Sequence, residues 1–69
     1  MKKIVNIEGM SCEHCKAHVE KELNALPGVQ AKVELKKNRA IVKSKEDVSD
    51  EALRGAVDEA GYTVVSITE

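Results

Sequence analysis

Between positions 29 and 35, Val29, Ala31, Val33 and Leu35 alternate with Gln30, Lys32 and Glu34. A period of two marks a strand with one buried face. A longer period governs the segment before it. Cys15, Val19, Leu23 and Leu26 fall at i, i+4, i+8 and i+11, a single apolar stripe along a helix. Ser11 or Cys12 stands at its N-cap, Glu13 lies in its first turn, and Pro27-Gly28 stops it. Upstream, Ile4 to Glu8 reads as a short strand ended by Gly9.

The second half repeats the scheme. Lys36-Lys37-Asn38-Arg39 is a polar turn, and Ala40 to Ser44 pairs back as a strand. After the loop Lys45-Glu46-Asp47, Ser49 caps a second helix with Asp50 and Glu51 in its first turn. Leu53, Ala56, Val57 and Ala60 form its apolar face, and Gly61 suits the left-handed position just past its end. Tyr62 to Thr68, with Val64, Val65 and Ile67, makes the last strand. The order β-α-β-β-α-β predicts an α+β, ferredoxin-like sandwich over a single domain, residues 1–69. Its four-stranded antiparallel sheet carries both helices on one face. With right-handed crossovers, the Gly9–Cys15 loop, the Lys36–Arg39 turn and the Gly61–Tyr62 junction meet at one end. Function is expected there.

Size sharpens this picture. A chain of 69 residues buries only about 60% of its unfolded surface and has no room for a cleft of enzyme dimensions. Phe and Trp are absent and Tyr62 is the only aromatic, so the core must be aliphatic. A net charge of −1, from 11 basic and 12 acidic residues, argues against a nucleic-acid partner, which asks for a basic excess and stacking platforms. The apolar run after Met1-Lys2-Lys3 is broken at Asn6 and Glu8, unlike a secretory signal. No segment approaches the roughly 20 apolar residues of a membrane span. A cytoplasmic protein without direct membrane insertion is expected, and two thiols there favour metal or redox chemistry over a structural disulfide.

Cys12 and Cys15 stand three apart where a loop becomes a helix, so their sulfurs can converge on one ion. The helix start lowers thiol pKa and prepares thiolate ligands. Two thiolates without an obvious further donor suit a soft ion of low coordination number, and Cu(I) fits. A structural Zn site would need four ligands, and no second Cys-x-x-Cys pair exists. A Zn or Cd carrier would want a hard ligand beside Cys12, which Ser11 does not offer. A Hg(II) carrier would also be satisfied by two thiolates. Thioredoxin-type redox chemistry lacks its expected surroundings, since Pro27 is the only proline. Covalent haem attachment would need His after Cys15, where Lys16 stands.

The segment Gly9-Met10-Ser11-Cys12-Glu13-His14-Cys15 resembles the metal-binding motif of the heavy-metal-associated domain family, which includes copper chaperones and N-terminal domains of copper-transporting P-type ATPases. The resemblance extends through Pro27-Gly28-Val29, Ala40-Ile41-Val42 and Gly61-Tyr62. It implies the same sandwich, Cys12 and Cys15 as metal ligands, and Met10 as a loop anchor packed into the core. It also places Tyr62 near the metal, as in bacterial copper chaperones. The length from Met1 to Glu69 is closer to such a chaperone than to an excised ATPase domain. Expected partners are a copper-transporting P-type ATPase metal-binding domain and a copper-responsive repressor. A homodimer bridged by metal through four cysteines is a further expectation. His14 is a candidate additional ligand, while His18 reads as a solvated helix residue. Lys16, Lys36, Lys37 and Arg39 are a candidate basic docking face, against the alternative of an ordinary solvated charge set. Three departures from the family pattern stand out: Ser44 in place of a large apolar residue, Gly55 inside the second helix, and Lys16 directly after the motif.

Overall fold

The computed structural model describes residues 1–69. Its elements run β1 (Lys2–Glu8), α1 (Glu13–Asn24), β2 (Val29–Glu34), β3 (Arg39–Ser44), α2 (Asp50–Glu59) and β4 (Thr63–Thr68), with one 3₁₀ turn at Leu35–Lys37. The strands form one antiparallel sheet in the order β2-β3-β1-β4. This is the ferredoxin-like βαββαβ arrangement that the hydrophobic spacing predicts.

The core lies between sheet and helices and is wholly aliphatic apart from Met10. Val5, Val19, Leu23, Ala40, Leu53 and Val57 are completely buried, and no polar or charged residue joins them. The alternation in β2 buries Val29 and Val33, and the α1 stripe buries Val19 and Leu23. Ser49 caps α2 as expected, its hydroxyl accepting the Ala52 N–H at 3.1 Å. Ser44, which departs from the family pattern, is bound locally by donating its hydroxyl to the Glu46 carbonyl at 2.6 Å.

Two features were not visible in the sequence. The β1–β4 register shifts between Asn6 and Ile7: Asn6 faces Ser66 while Ile7 faces Val64. Val65 is thus the extra residue of a β-bulge, and it is 61% exposed. Val65 lies within the last strand as expected, and the bulge leaves its side chain on the outer side. The bulge also explains why Val64 and Ile67, an odd number apart, both pack against the core. The second feature is the treatment of the β2 edge. Asn24 brackets the Ala31 backbone, accepting its N–H at 2.8 Å and donating to its carbonyl at 3.2 Å, while Glu20 accepts the Val33 N–H at 2.9 Å. Side chains from α1 thereby occupy backbone groups that would otherwise template strand pairing.

Gly55 stands inside α2, where a Cβ would meet nothing within 4 Å. Gly55→Ala is therefore expected to raise stability by up to about 1 kcal/mol, read as a higher urea midpoint. A lower midpoint would mean that α2 needs the backbone freedom of glycine at this point.

Candidate metal site

Three loops meet at one end of the sandwich, and local rules put each there. β1 ends at Glu8, and Gly9 turns the chain at φ 99°, a conformation open to glycine and strained for other residues. Ile7 donates its N–H to the Asn38 carbonyl at 2.8 Å, which draws the turn after β2 against the end of β1. α2 closes with a Schellman motif: Gly61 N–H bonds to Asp58 O at 2.9 Å and Tyr62 N–H to Val57 O at 3.2 Å. Gly61, at φ 93°, makes that turn and delivers Tyr62 to the same end. There the phenol ring lies against Gly9, so close that a Cβ on residue 9 would come within 3.4 Å of it.

Cys12 is the N-cap of α1, in extended conformation, and its carbonyl accepts the first helical bond from Lys16 N–H at 3.1 Å. Its side chain caps nothing, so the thiol is left free, and Ser11 is exposed outside the helix. Cys15 lies in the first turn of α1. The two sulfurs are 3.2 Å apart, Cys12 exposed and Cys15 half-buried against the core. Met10 is 6% exposed and belongs to the core cluster, so its thioether is turned away from solvent. His14 is exposed, and no group of three or more His, Cys, Asp or Glu side chains is placed to hold a metal. The site is thus a bare pair of thiols.

Its electrostatics favour the ionised sulfur. The Cys15 pKa is lowered to about 6, first by the Ser11 backbone N–H, then by hydrogen bonds from the Tyr62 phenol and the Cys12 thiol; partial burial opposes them. The same contact raises the Tyr62 pKa, because an ionised phenol could not donate to the sulfur. Since the folded-state value lies below that of an ordinary thiol, ionisation adds stability that is complete above the ordinary thiol range and is lost as pH falls through about 6. Tyr62→Phe is expected to raise the Cys15 pKa, read from thiolate absorbance or from the pH profile of alkylation. An unchanged profile would remove Tyr62 from the site.

The basic residues divide into two kinds. Lys36 and Lys37 are exposed on the turn beside β1 and enter no ion pair. Arg39, by contrast, is held by Glu34 at 2.6 Å with both side chains largely covered, so its charge is already matched. Lys16 sits 3.9 Å from the exposed Glu13 carboxylate, a loose pair of little energetic weight. The Arg39–Glu34 pair escaped sequence reasoning, although Glu34 and Arg39 flank the turn and face each other in the β2–β3 register.

A ferredoxin-like sandwich with an exposed dithiol at the start of its first helix defines the class of small heavy-metal-binding carrier domains. Comparison with known proteins agrees: the heavy-metal-associated domain model matches residues 4–63, and the chain belongs to that family. It is 45% identical over 64 residues to the copper chaperone CopZ of Staphylococcus haemolyticus, a match covering 90% of this chain and 94% of the relative. Among solved structures, a CopZ metallochaperone superposes with a TM-score of 0.87 at 39% identity, covering 94% of this chain and 100% of the other. A copper-binding domain from HMA7, a P-type ATPase, superposes with a TM-score of 0.82 at 32% identity, covering 97% of each chain.

Proposed function

We propose that this chain is a copper chaperone that holds Cu(I) between the sulfurs of Cys12 and Cys15 and passes it on by thiolate exchange. Its relatives are metal carriers, and the chain is a carrier rather than an enzyme. The observation that bears most on this reading is the isolated dithiol, with sulfurs 3.2 Å apart and no third donor beside them. Such a pair suits a soft ion content with two ligands and serves Zn(II) or Cd(II) poorly, since these want a fuller shell. No helix is long and apolar enough to cross a membrane, and we take the chaperone to act in the cytoplasm as one heavy-metal-associated domain.

Transfer is an associative exchange. A thiolate of the acceptor attacks Cu(I), and a third Cu–S bond forms before either original bond breaks. One Cu–S bond to this chain then breaks, its electron pair staying on sulfur, and a second acceptor thiolate displaces the last. Copper keeps its oxidation state throughout. Exposed Cys12 is the sulfur an acceptor reaches first, while half-buried Cys15, supported by Tyr62, lets go last. The acceptor is the metal-binding domain of a copper-transporting P-type ATPase, whose fold this chain shares. A copper-responsive repressor would be met by the same end of the molecule. Two copies facing each other would share copper through four cysteines as a metal-bridged homodimer. Lys36 and Lys37 steer the encounter with an acidic acceptor surface, with Lys16 at the margin and Arg39 shaping the turn through Glu34.

The test is a transfer experiment without oxygen, mixing chain loaded with one Cu(I) with such an ATPase domain and following both by NMR. The transfer rate is expected to rise with acceptor concentration and to fall with salt. Lys36→Glu/Lys37→Glu should slow it by about tenfold or more with Cu(I) affinity unchanged. A rate independent of acceptor concentration would replace exchange by simple dissociation. A rate insensitive to the charge reversal would remove the lysines from docking.

A further inference from the structure

The outer side of α1 carries chemistry that the dithiol does not use. His14 and His18 are four residues apart within Glu13–Asn24, so they lie one above the other on the same helical face. Both are exposed, as is Ala17 between them. Side-chain bonds from α1 and its N-cap are made by Cys12, Cys15, Glu20 and Asn24, and the ion pair by Lys16 and Glu13. Both imidazoles are left without a protein partner. The residues that follow them, Cys15 and Val19, lie on the inward stripe, and the rotation of about 100° per residue turns the histidines away from it. His14 also forms no three-donor group with the cysteines.

We propose that His14 and His18 form a second metal site, a two-imidazole chelate for a borderline divalent ion of the Ni(II), Zn(II) and Cu(II) class. Imidazole nitrogen suits these ions, and two histidines one helical turn apart are a spacing that holds one ion on a helix. Neutral imidazole binds through a ring-nitrogen lone pair, so occupation needs no cysteine and no change of oxidation state. Only two protein donors are present, and water fills the remaining positions, which makes the site exchangeable. Lys21, one turn beyond His18, opposes a cation there. Glu22, four residues beyond His18, offsets it. The chain thus carries two donor sets of different softness within the first turns of one helix.

Ni(II) is the probe, titrated by calorimetry and NMR into Cys12→Ser/Cys15→Ser protein so that no thiolate competes. One ion per chain is expected, with line broadening centred on His14, Ala17 and His18. His14→Ala and His18→Ala should each weaken binding about tenfold or more, because a chelate that loses one arm loses its effective concentration. Absence of binding, or binding that neither substitution weakens, would overturn the proposal. In chain with both cysteines, His18→Ala is expected to leave Cu(I) affinity within about twofold. A large loss there would merge the two sites and overturn their separation, while leaving the copper reading intact.

Discussion

Serine at Cys15 is expected to abolish tight Cu(I) binding, and serine at Cys12 to weaken it nearly as far. The reason is the size of the donor set. With no third His, Cys, Asp or Glu beside the pair, loss of one sulfur leaves a single protein ligand. Loss of a mere supporting partner around a metal typically costs about 10- to 100-fold in affinity, and loss of half the ligands must exceed that by orders of magnitude. A serine hydroxyl is a hard, protonated donor that a soft ion does not accept in exchange. The two positions also differ. Cys15 is half-buried, pre-ionised down to about pH 6 and held by Ser11 N–H and Tyr62, whereas Cys12 is exposed at the N-cap. Cys12→Ser should therefore keep a weak one-sulfur complex that Cys15→Ser lacks. Anaerobic titration against a Cu(I) chelator measures both. Wild-type affinity should fall as pH drops through about 6, where protons compete for Cys15. Retention of tight binding in Cys15→Ser would bring in a donor outside the pair, with His14 as the first suspect.

Legibility of the fold followed the physics of each segment. Where one rule acts alone, as in the alternation through Val29 and Val33 or the stripe through Val19 and Leu23, the pattern gives both element and buried face, although the strand stops at Glu34 and leaves Leu35 to the 3₁₀ turn. Caps are equally local: Ser49 and Gly61 are found in the roles their side chains, or the lack of one, suit them for. The bulge at Val65 was hidden because it depends on how β4 meets β1, and a run Val64-Val65-Ser66-Ile67 fits a strand in either register. The 3₁₀ turn at Leu35 and the cover over the β2 edge depend likewise on tertiary placement. At the Cys12–Cys15 end, the spacing foretold that the two sulfurs converge, and they lie 3.2 Å apart. The support given by Tyr62 to Cys15 could not be read from spacing, because 47 positions separate the two. The family resemblance pointed to Tyr62; only the Schellman turn at Gly61 explains how it arrives there.

Leu53→Ala and Val65→Ala both truncate an apolar side chain and are expected to differ greatly in their consequences. Leu53 is completely buried in α2 and belongs to an aliphatic core of only 12 residues. Its truncation should cost about 2–5 kcal/mol, transfer loss and cavity together. A domain of this size has a total stability near the lower end of the usual range, about 5 kcal/mol, so the apo form of Leu53→Ala should be partly or wholly unfolded at room temperature. Leu53→Met, which conserves volume, should lose less than about 1.5 kcal/mol. Val65 looks equally apolar in sequence, but the bulge turns it outward to 61% exposure, and its truncation should change stability by no more than about 0.5 kcal/mol. Urea denaturation of the reduced apo proteins separates these outcomes. Cu(I) adds a second reading: an ion that binds only the folded chain shifts the midpoint upward with free metal, by about 4 kcal/mol at a thousandfold excess over Kd. Leu53→Ala should therefore refold on loading, because Leu53 lies in α2 while the proposed ligands stand at the start of α1. If loading failed to rescue it, the thiol pair would depend on core packing, and the independence of carrier site and scaffold would have to be given up.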